Sequence, residues 1–255
     1  MLCVLSPAKS LDFDTALPTK KHTIARLLDA TDGVVEVLRT KSAAELRQLM
    51  SISEELATLN VERFRAYAPE HTPENSRPAM FAFAGDVYQG MAPHSFDARD
   101  LTDAQKTVRI LSGMYGLLRP LDLVQPHRLE MGTKLVTSRG RTLYDWWGTS
   151  VTEMLRRDVS ASPGPDVLVN LASAEYAKVI HDDVLGLRVI SPRFEEESKG
   201  ARRVVSFHAK RARGAFAGWL VRSRVRSVGS IVDFAELGYR YDERASTKDQ
   251  PVFVR

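Results

Sequence analysis

The sequence predicts an α/β fold, a single domain with a mixed sheet flanked by helices and a two-helix insertion. Three observations carry this. Short apolar runs of strand length stand at residues 2–5, 79–84, 108–111 and 166–171, with helical apolar spacing between them. A chain of 255 residues fits one large domain with a substantial core. The clearest linker-like break, SASPGP at 160–165, is too short to mark a domain boundary.

In chain order, residues 2–5 form the first strand. The opening MLCVLSPAK lacks a basic n-region and is expected to be buried strand, not a secretory signal. The loop after it carries Lys9, placed to hold an anion or to cap a surface loop. Residues 23–40 have helical spacing with Gly33 as a break. Ser42-x-x-Glu45 and Ser51-x-x-Glu54 read as capping boxes opening two short helices that meet at 50–53. This layout matches a helix-hairpin-helix, with Ser51 and Ser53 where the usual motif has glycine. There backbone N–H groups of the hairpin meet a phosphate, and a serine hydroxyl can add a donor. The alternative is a packing hairpin alone.

Residues 79–84 (AMFAFA) read as a second strand, running into a glycine-bracketed turn with Asp86. Residues 101–107, opened by Thr102-x-x-Gln105, read as a helix. The stretch 108–135 starts as a strand, and after Gly116 is proline-punctuated and not strand-like. It is apolar, yet it carries Arg109, Arg119, Asp122, Arg128, Glu130 and Lys134. Those charges must reach water, pair, or face a ligand. A helix is expected over 143–157, its Tyr144, Trp146 and Trp147 in the core. A third strand over 166–171 precedes a helix over 174–180 that Ser173 caps and Lys178 sits on. A hairpin is expected over 187–194 and 202–207, turning at Lys199-Gly200. The basic amphipathic helix 208–226 carries Gly214 and Gly218, which imply close backbone approach. Segments 239–243 and 251–254 read as closing strands.

Net charge is +4, but between Ser198 and Val232 stand nine basic residues and no acid, leaving 27 basic and 32 acidic among the other 220. A positive field so concentrated favours an anionic partner; the competing reading is a solvated helix whose arginines pair elsewhere. No apolar run approaches the roughly 18 residues needed to span a bilayer. A single cysteine, Cys3 within an apolar strand, fits a reducing cytoplasm and reads as a packed thiol. The six histidines show no zinc spacing, and no Walker A, GxGxxG or GxSxG pattern occurs, so no metal and no cofactor are expected.

The blocks LSPAKSLD (5–12), FAGDVYQG (83–90), LSGMYGLLRPLDLVQPHRLEMG (111–132), LYDWWG (143–148), VNLASAEYAK (169–178) and FHAKRARG (207–214) together resemble the YaaA peroxide-stress family. They stand in the family's order and cover nearly the whole chain. The resemblance implies a cytoplasmic bacterial protein that limits hydrogen peroxide damage. It also implies an α/β domain of unusual topology, with a helix-hairpin-helix and a positively charged cleft that binds DNA. The family's motifs establish no catalytic activity.

The leading expectation is a monomeric DNA-binding protein that reads backbone and shape on duplex, bubble or branched DNA. Lys9, Ser51, Ser53, Arg119, Arg128, Lys178, Lys210, Arg211 and Arg213 are its expected contacts. Asp86 and Glu130 are expected acids of the cleft, and Lys9, Asp86, Arg119 and Arg128 are expected to converge there. The alternative is an enzyme acting on a nucleobase or nucleotide in the same cleft, using Lys9, Asp86, Glu130, Lys178 and Lys210 for acid–base chemistry.

Overall fold

The computed structural model describes residues 1–198 and 200–255, and Lys199 lies outside the described residues. In chain order the strands are β1 (Leu2–Leu5), β2 (Arg77–Pro78), β3 (Val108–Ser112), β4 (Gly116–Leu118), β5 (Leu123–Val124), β6 (Val167–Asn170), β7 (Arg188–Ile190), β8 (Arg193–Ser198), β9 (Ala201–Arg203), β10 (Arg240–Tyr241) and β11 (Val252–Val254). The helices are α1 (Leu28–Arg39), α2 (Ala43–Met50), α3 (Glu54–Ala66), α4 (Ala79–Ala82), α5 (Asp86–Met91), α6 (Ala98–Thr107), α7 (Leu143–Trp147), α8 (Ser150–Ala161), α9 (Ala174–Ala177), α10 (Asp182–Leu185) and α11 (Ser206–Arg222).

The first strand is central. The main sheet runs β4-β3-β1-β6-β7, parallel except that β4 is antiparallel to β3. Strand β1 is buried on both faces, so it reads as unbroken apolar LCVL instead of alternating. Leu2 and Val4 enter one core with the α1, α8 and Trp147 side. Cys3 and Leu5 enter another beneath α6 and α11. Burial there pushes the Cys3 thiol up to about 12, so it stays protonated and packs as a small apolar group. A second sheet, β10-β11-β8-β9, docks on α11 through Phe194, Phe216, Phe234 and Phe253. The break at 160–165 separates no domains. The N-terminal ammonium donates to Ser162 Oγ at 3.0 Å and to the Pro163 carbonyl at 2.8 Å.

Several expected elements are rearranged. Residues 79–82 are a helical turn, not a strand, and only Phe83 makes a bridge, to Leu11. A segment buried all round has no polar face from which to read a period. Residues 86–91 are helix, not a turn. Gly33 lies inside α1, where a Cβ would stand 2.7 Å from the Trp146 ring; it admits the indole and breaks nothing. Helix α6 begins earlier than expected, capped by Asp97 in a box with Asp100. After Gly116 the chain does form strands, β4 and β5. The expected helix 143–157 is two helices, because Gly148 takes φ +47° between them. Of the expected hairpin, 187–194 divides between the two sheets at Ser191-Pro192. Ser198 pairs antiparallel with Ala201, while Lys199 of the expected turn lies outside the described residues.

The two-helix insertion is present as α2 and α3, joined by Ser51-Ile52-Ser53. Ser42 and Glu45 form the first capping box. The second box is absent. Ser51 instead closes α2 in the left-handed region (φ +52°), and Ser53 caps α3, its Oγ accepting the Leu56 N–H. Ile52 is buried in the core. A side chain at positive φ is strained where glycine is not, so Ser51→Gly is expected to raise stability by roughly 0.5–1 kcal/mol, read by chemical denaturation. A loss of stability would mean that Ser51 contributes more through its side chain than its backbone costs.

Candidate functional site

The carboxyl ends of β3, β1 and β6 lie side by side. From β1 the chain builds β3 on one flank and later β6 on the other, so the carboxyl end of β1 is a topological switch point, the place where α/β sheets commonly bind ligands. The loop after β1 brings Lys9 there. The central stretch returns across the end of β3 so closely that a Cβ on Gly113 would stand 2.6 Å from the Leu129 carbonyl oxygen. This carries Glu130 to Lys9, with Nζ 3.0 Å from Oε2, and Arg128 Nη2 donates to the other oxygen, Oε1, at 3.1 Å. One carboxylate thus bridges two cations and fixes their direction.

From the β6 side, Ser173 donates its N–H to Ser6 Oγ at 2.9 Å. Glu175 accepts the Gly132 N–H at 2.8 Å and its carbonyl accepts the Tyr144 hydroxyl at 2.9 Å. Lys178 holds its ammonium 4.9 Å from the centre of the Tyr144 ring. Tyr88, buried, donates to the Ser6 carbonyl at 3.1 Å; burial raises its phenol, and burial with Glu175 beside it raises that of Tyr144, so both remain neutral donors. Asp86 opens α5 on the neighbouring loop, where a Cβ on Gly85 would touch that of Ala8 at 3.0 Å.

The central stretch also carries a buried polar cluster. The Tyr115 hydroxyl lies 3.0 Å from His71 Nε2 and accepts the Gln125 N–H at 3.0 Å, while the His127 Nδ1–H donates to the Gln125 carbonyl at 2.8 Å. Burial holds His127 down at about 4, the Arg63 charge adding to this, so its ring stays neutral. The buried Arg128 Nε has no hydrogen-bond partner among the described residues.

The structure therefore joins Lys9, Arg128 and Glu130 directly, ties Lys178 in through Tyr144 and Glu175, and sets Asp86 on the adjoining loop. It does not bring Arg119 there. The pairing of Ile110 with Leu118 puts Arg119 level with Arg109, toward the amino ends of the parallel strands, where it pairs with fully buried Asp122 at 2.8 Å. The expected convergence of Arg119 with Lys9 is thus corrected: a hairpin turn at Gly116 reverses the chain between them. Ser51 and Ser53 lie at the α2–α3 joint and, among the described residues, make no hydrogen bond to these groups. Sequence reasoning missed Tyr88, Tyr144 and Glu175. Glu175 stands three residues before Lys178 in the same block, which was its one visible signal.

The basic segment divides in two. Arg202 pairs with Glu197 and Asp242, Arg222 with Glu236, Arg224 with Asp100 and Arg226 with Asp103. Among the described residues, Arg203, Lys210, Arg211 and Arg213 form no ion pair. The first three are exposed and Arg213 is half-buried, its guanidinium lowered by that burial. Helix α11 presses on α5 at this point. A surface hollow of about 700 Å³ lies elsewhere, on the second sheet between Arg202 and Arg244. The described residues hold no group of three metal-ligating side chains, and no helix is long and apolar enough to cross a membrane.

Residues 1–245 match the family model described as peroxide stress protein YaaA. A UPF0246 protein of Idiomarina loihiensis is 46% identical over 255 residues, covering all of this chain and 98% of its own length. A UPF0246 protein of Tolumonas auensis is 47% identical with the same coverage, and one of Burkholderia thailandensis is 46% identical over 256 residues.

Proposed function

This chain belongs to the peroxide stress protein YaaA family, and from that membership we propose that it serves the hydrogen peroxide response in the cytoplasm as a monomeric DNA-binding protein. The observation that carries this is what remains of the positive field after pairing. Acids elsewhere pair with Arg202, Arg222, Arg224 and Arg226, while Lys210, Arg211 and Arg213, on one stretch of α11, form no ion pair among the described residues. Duplex DNA offers a dense row of phosphates to such a group. At the switch point, Lys9 and Arg128 outnumber Glu130, and each keeps N–H donors that the carboxylate does not use. The tight α2–α3 joint supports reading that unit as a helix-hairpin-helix, in which Ser51 and Ser53 would approach the backbone. Glu54 and Glu55 in the first turn of α3 make it the weaker contact. Arg119, spent on Asp122, contributes least. The bridging position of Glu130 accounts for an acid among cations as an orienting group, so the enzyme alternative gains nothing from its presence.

The test is salt dependence. Affinity for a duplex is expected to fall with salt at a log–log slope of about −0.9 per phosphate contact, and replacing Lys210, Arg211 and Arg213 with Ala should flatten it by up to ~3 units. Fluorescence anisotropy across a salt series reads this directly. An unchanged slope would assign DNA binding to another surface, and no binding at all would end the reading.

A further inference from the structure

Phe207 is the exposed one among ten phenylalanines, with 51% of its surface open, and Val204 beside it is 46% open. It stands in the first turn of α11. Lys210 and Arg211 follow at i+3 and i+4, on the same face of the helix and also exposed. That face continues through Gly214 and Gly218, and there α5 covers it. Cβ atoms on those glycines would meet the Val87 and Met91 carbonyls, and Gly90 lies against Arg211. The cover stops at Arg211, so Phe207 stands one turn beyond it, unprotected. Exposed Arg203 precedes it, and half-buried His208 holds its ring edge-to-face with that of Phe207 at 5.5 Å.

An open aromatic face beside unpaired cations on the same face matches one chemistry: an unpaired base stacks on the ring while its flanking phosphates meet the cations. We infer that Phe207 is a stacking platform for an unpaired base, and that the protein thereby favours single-stranded stretches of DNA over fully paired duplex. This rests on the DNA-binding reading and deepens it. Duplex can engage Lys210 and Arg211 but offers the ring no free base face. The charge complementarity of the patch selects nucleic acid over a second copy of the chain, which would bring the same cations together.

Fluorescence anisotropy with a single-stranded DNA of about a dozen nucleotides, its duplex and the RNA of the same sequence tests this. Phe207→Ala is expected to weaken single-strand binding about 5- to 150-fold, with duplex affinity and the salt slope unchanged. Phe207→Trp, which keeps a stacking face, should retain affinity, and its emission should be quenched by single-stranded DNA. If Phe207→Ala weakens neither DNA while wild-type duplex binding stays salt-dependent, stacking is refuted and the DNA-binding reading survives. If wild type binds no DNA, both fall. Tighter binding of the RNA, or a dimer that Phe207→Ala dissociates in sedimentation, would overturn the assignment as well.

Discussion

Gly214→Ala is expected to destabilise the protein by about 3 kcal/mol or more, lowering its melting temperature by roughly 6–12 °C. The added methyl would stand 1.7 Å from the Val87 carbonyl oxygen and 2.9 Å from the Met91 N. Neither is a side chain that can turn away. Helices α5 and α11 meet backbone to backbone there, with Gly90 and Gly218 completing the contact, so relief requires the helices to separate. Separation would open the core in which Met91, Ala215 and Phe216 are buried. It would also shift Asp86 and Tyr88 relative to the loop after β1. Gly186→Ala is the control: that residue has φ +59° with nothing within 4 Å, so only local strain of about 1–2 kcal/mol is expected. Equal losses in the two variants, measured by thermal denaturation, would show that the α5–α11 contact yields easily and that glycine is not required for it.

Asp158→Asn is expected to cost about 3–5 kcal/mol, because it strands a buried guanidinium. Arg109, 5% exposed, donates its Nε to Asp158, and Arg26 makes two bonds to the same carboxylate at 2.8 and 2.6 Å. Burial alone would raise the Asp158 carboxyl, but the two arginines outweigh it and hold it below the usual range. Burial in turn pulls the Arg109 guanidinium down. Because the folded carboxyl is the stronger acid, its contribution is fully present above the unfolded value near ~4 and disappears as pH falls through the lower folded value. Wild-type stability should therefore drop on acidification through that window, and the Asn variant should show a shallower fall. Denaturation midpoints at pH 7 and in steps below pH 5 measure both effects. A variant that melts with wild type at pH 7 would show that the three groups do no more than cancel.

Much of this was legible in the chain. The strand runs at 2–5, 108–111 and 166–171 became three adjacent strands of one sheet, since a doubly covered strand must be apolar throughout. Cys3 was read as packed, and Gly214 and Gly218 as points of close approach, because a helix tolerates glycine poorly without such a reason. The demand that the charges of 108–135 pair, reach water or face a ligand was met for three of them by pairing: Arg109 with Asp158, Arg119 with Asp122 and Arg128 with Glu130. Two of the misreadings share a cause. Residues 79–82 and the stretch after Gly116 are buried all round, and without a polar face no period distinguishes a helical turn from a strand.

The sequence by itself determined the class of fold, the family, and the concentration of positive charge between residues 198 and 232, because composition, local periodicity and ordered motifs are properties of neighbours along the chain. Tertiary structure alone decided which of those charges survive. Arg224 meets Asp100 and Arg226 meets Asp103 across more than 120 residues, while among the described residues Lys210 and Arg211 meet no acid. It likewise decided that Glu130 would stand between Lys9 and Arg128 and that Arg119 would not join them. Charge pairing acts through space over a few ångströms, and strand register and chain reversal set those distances, not separation in sequence.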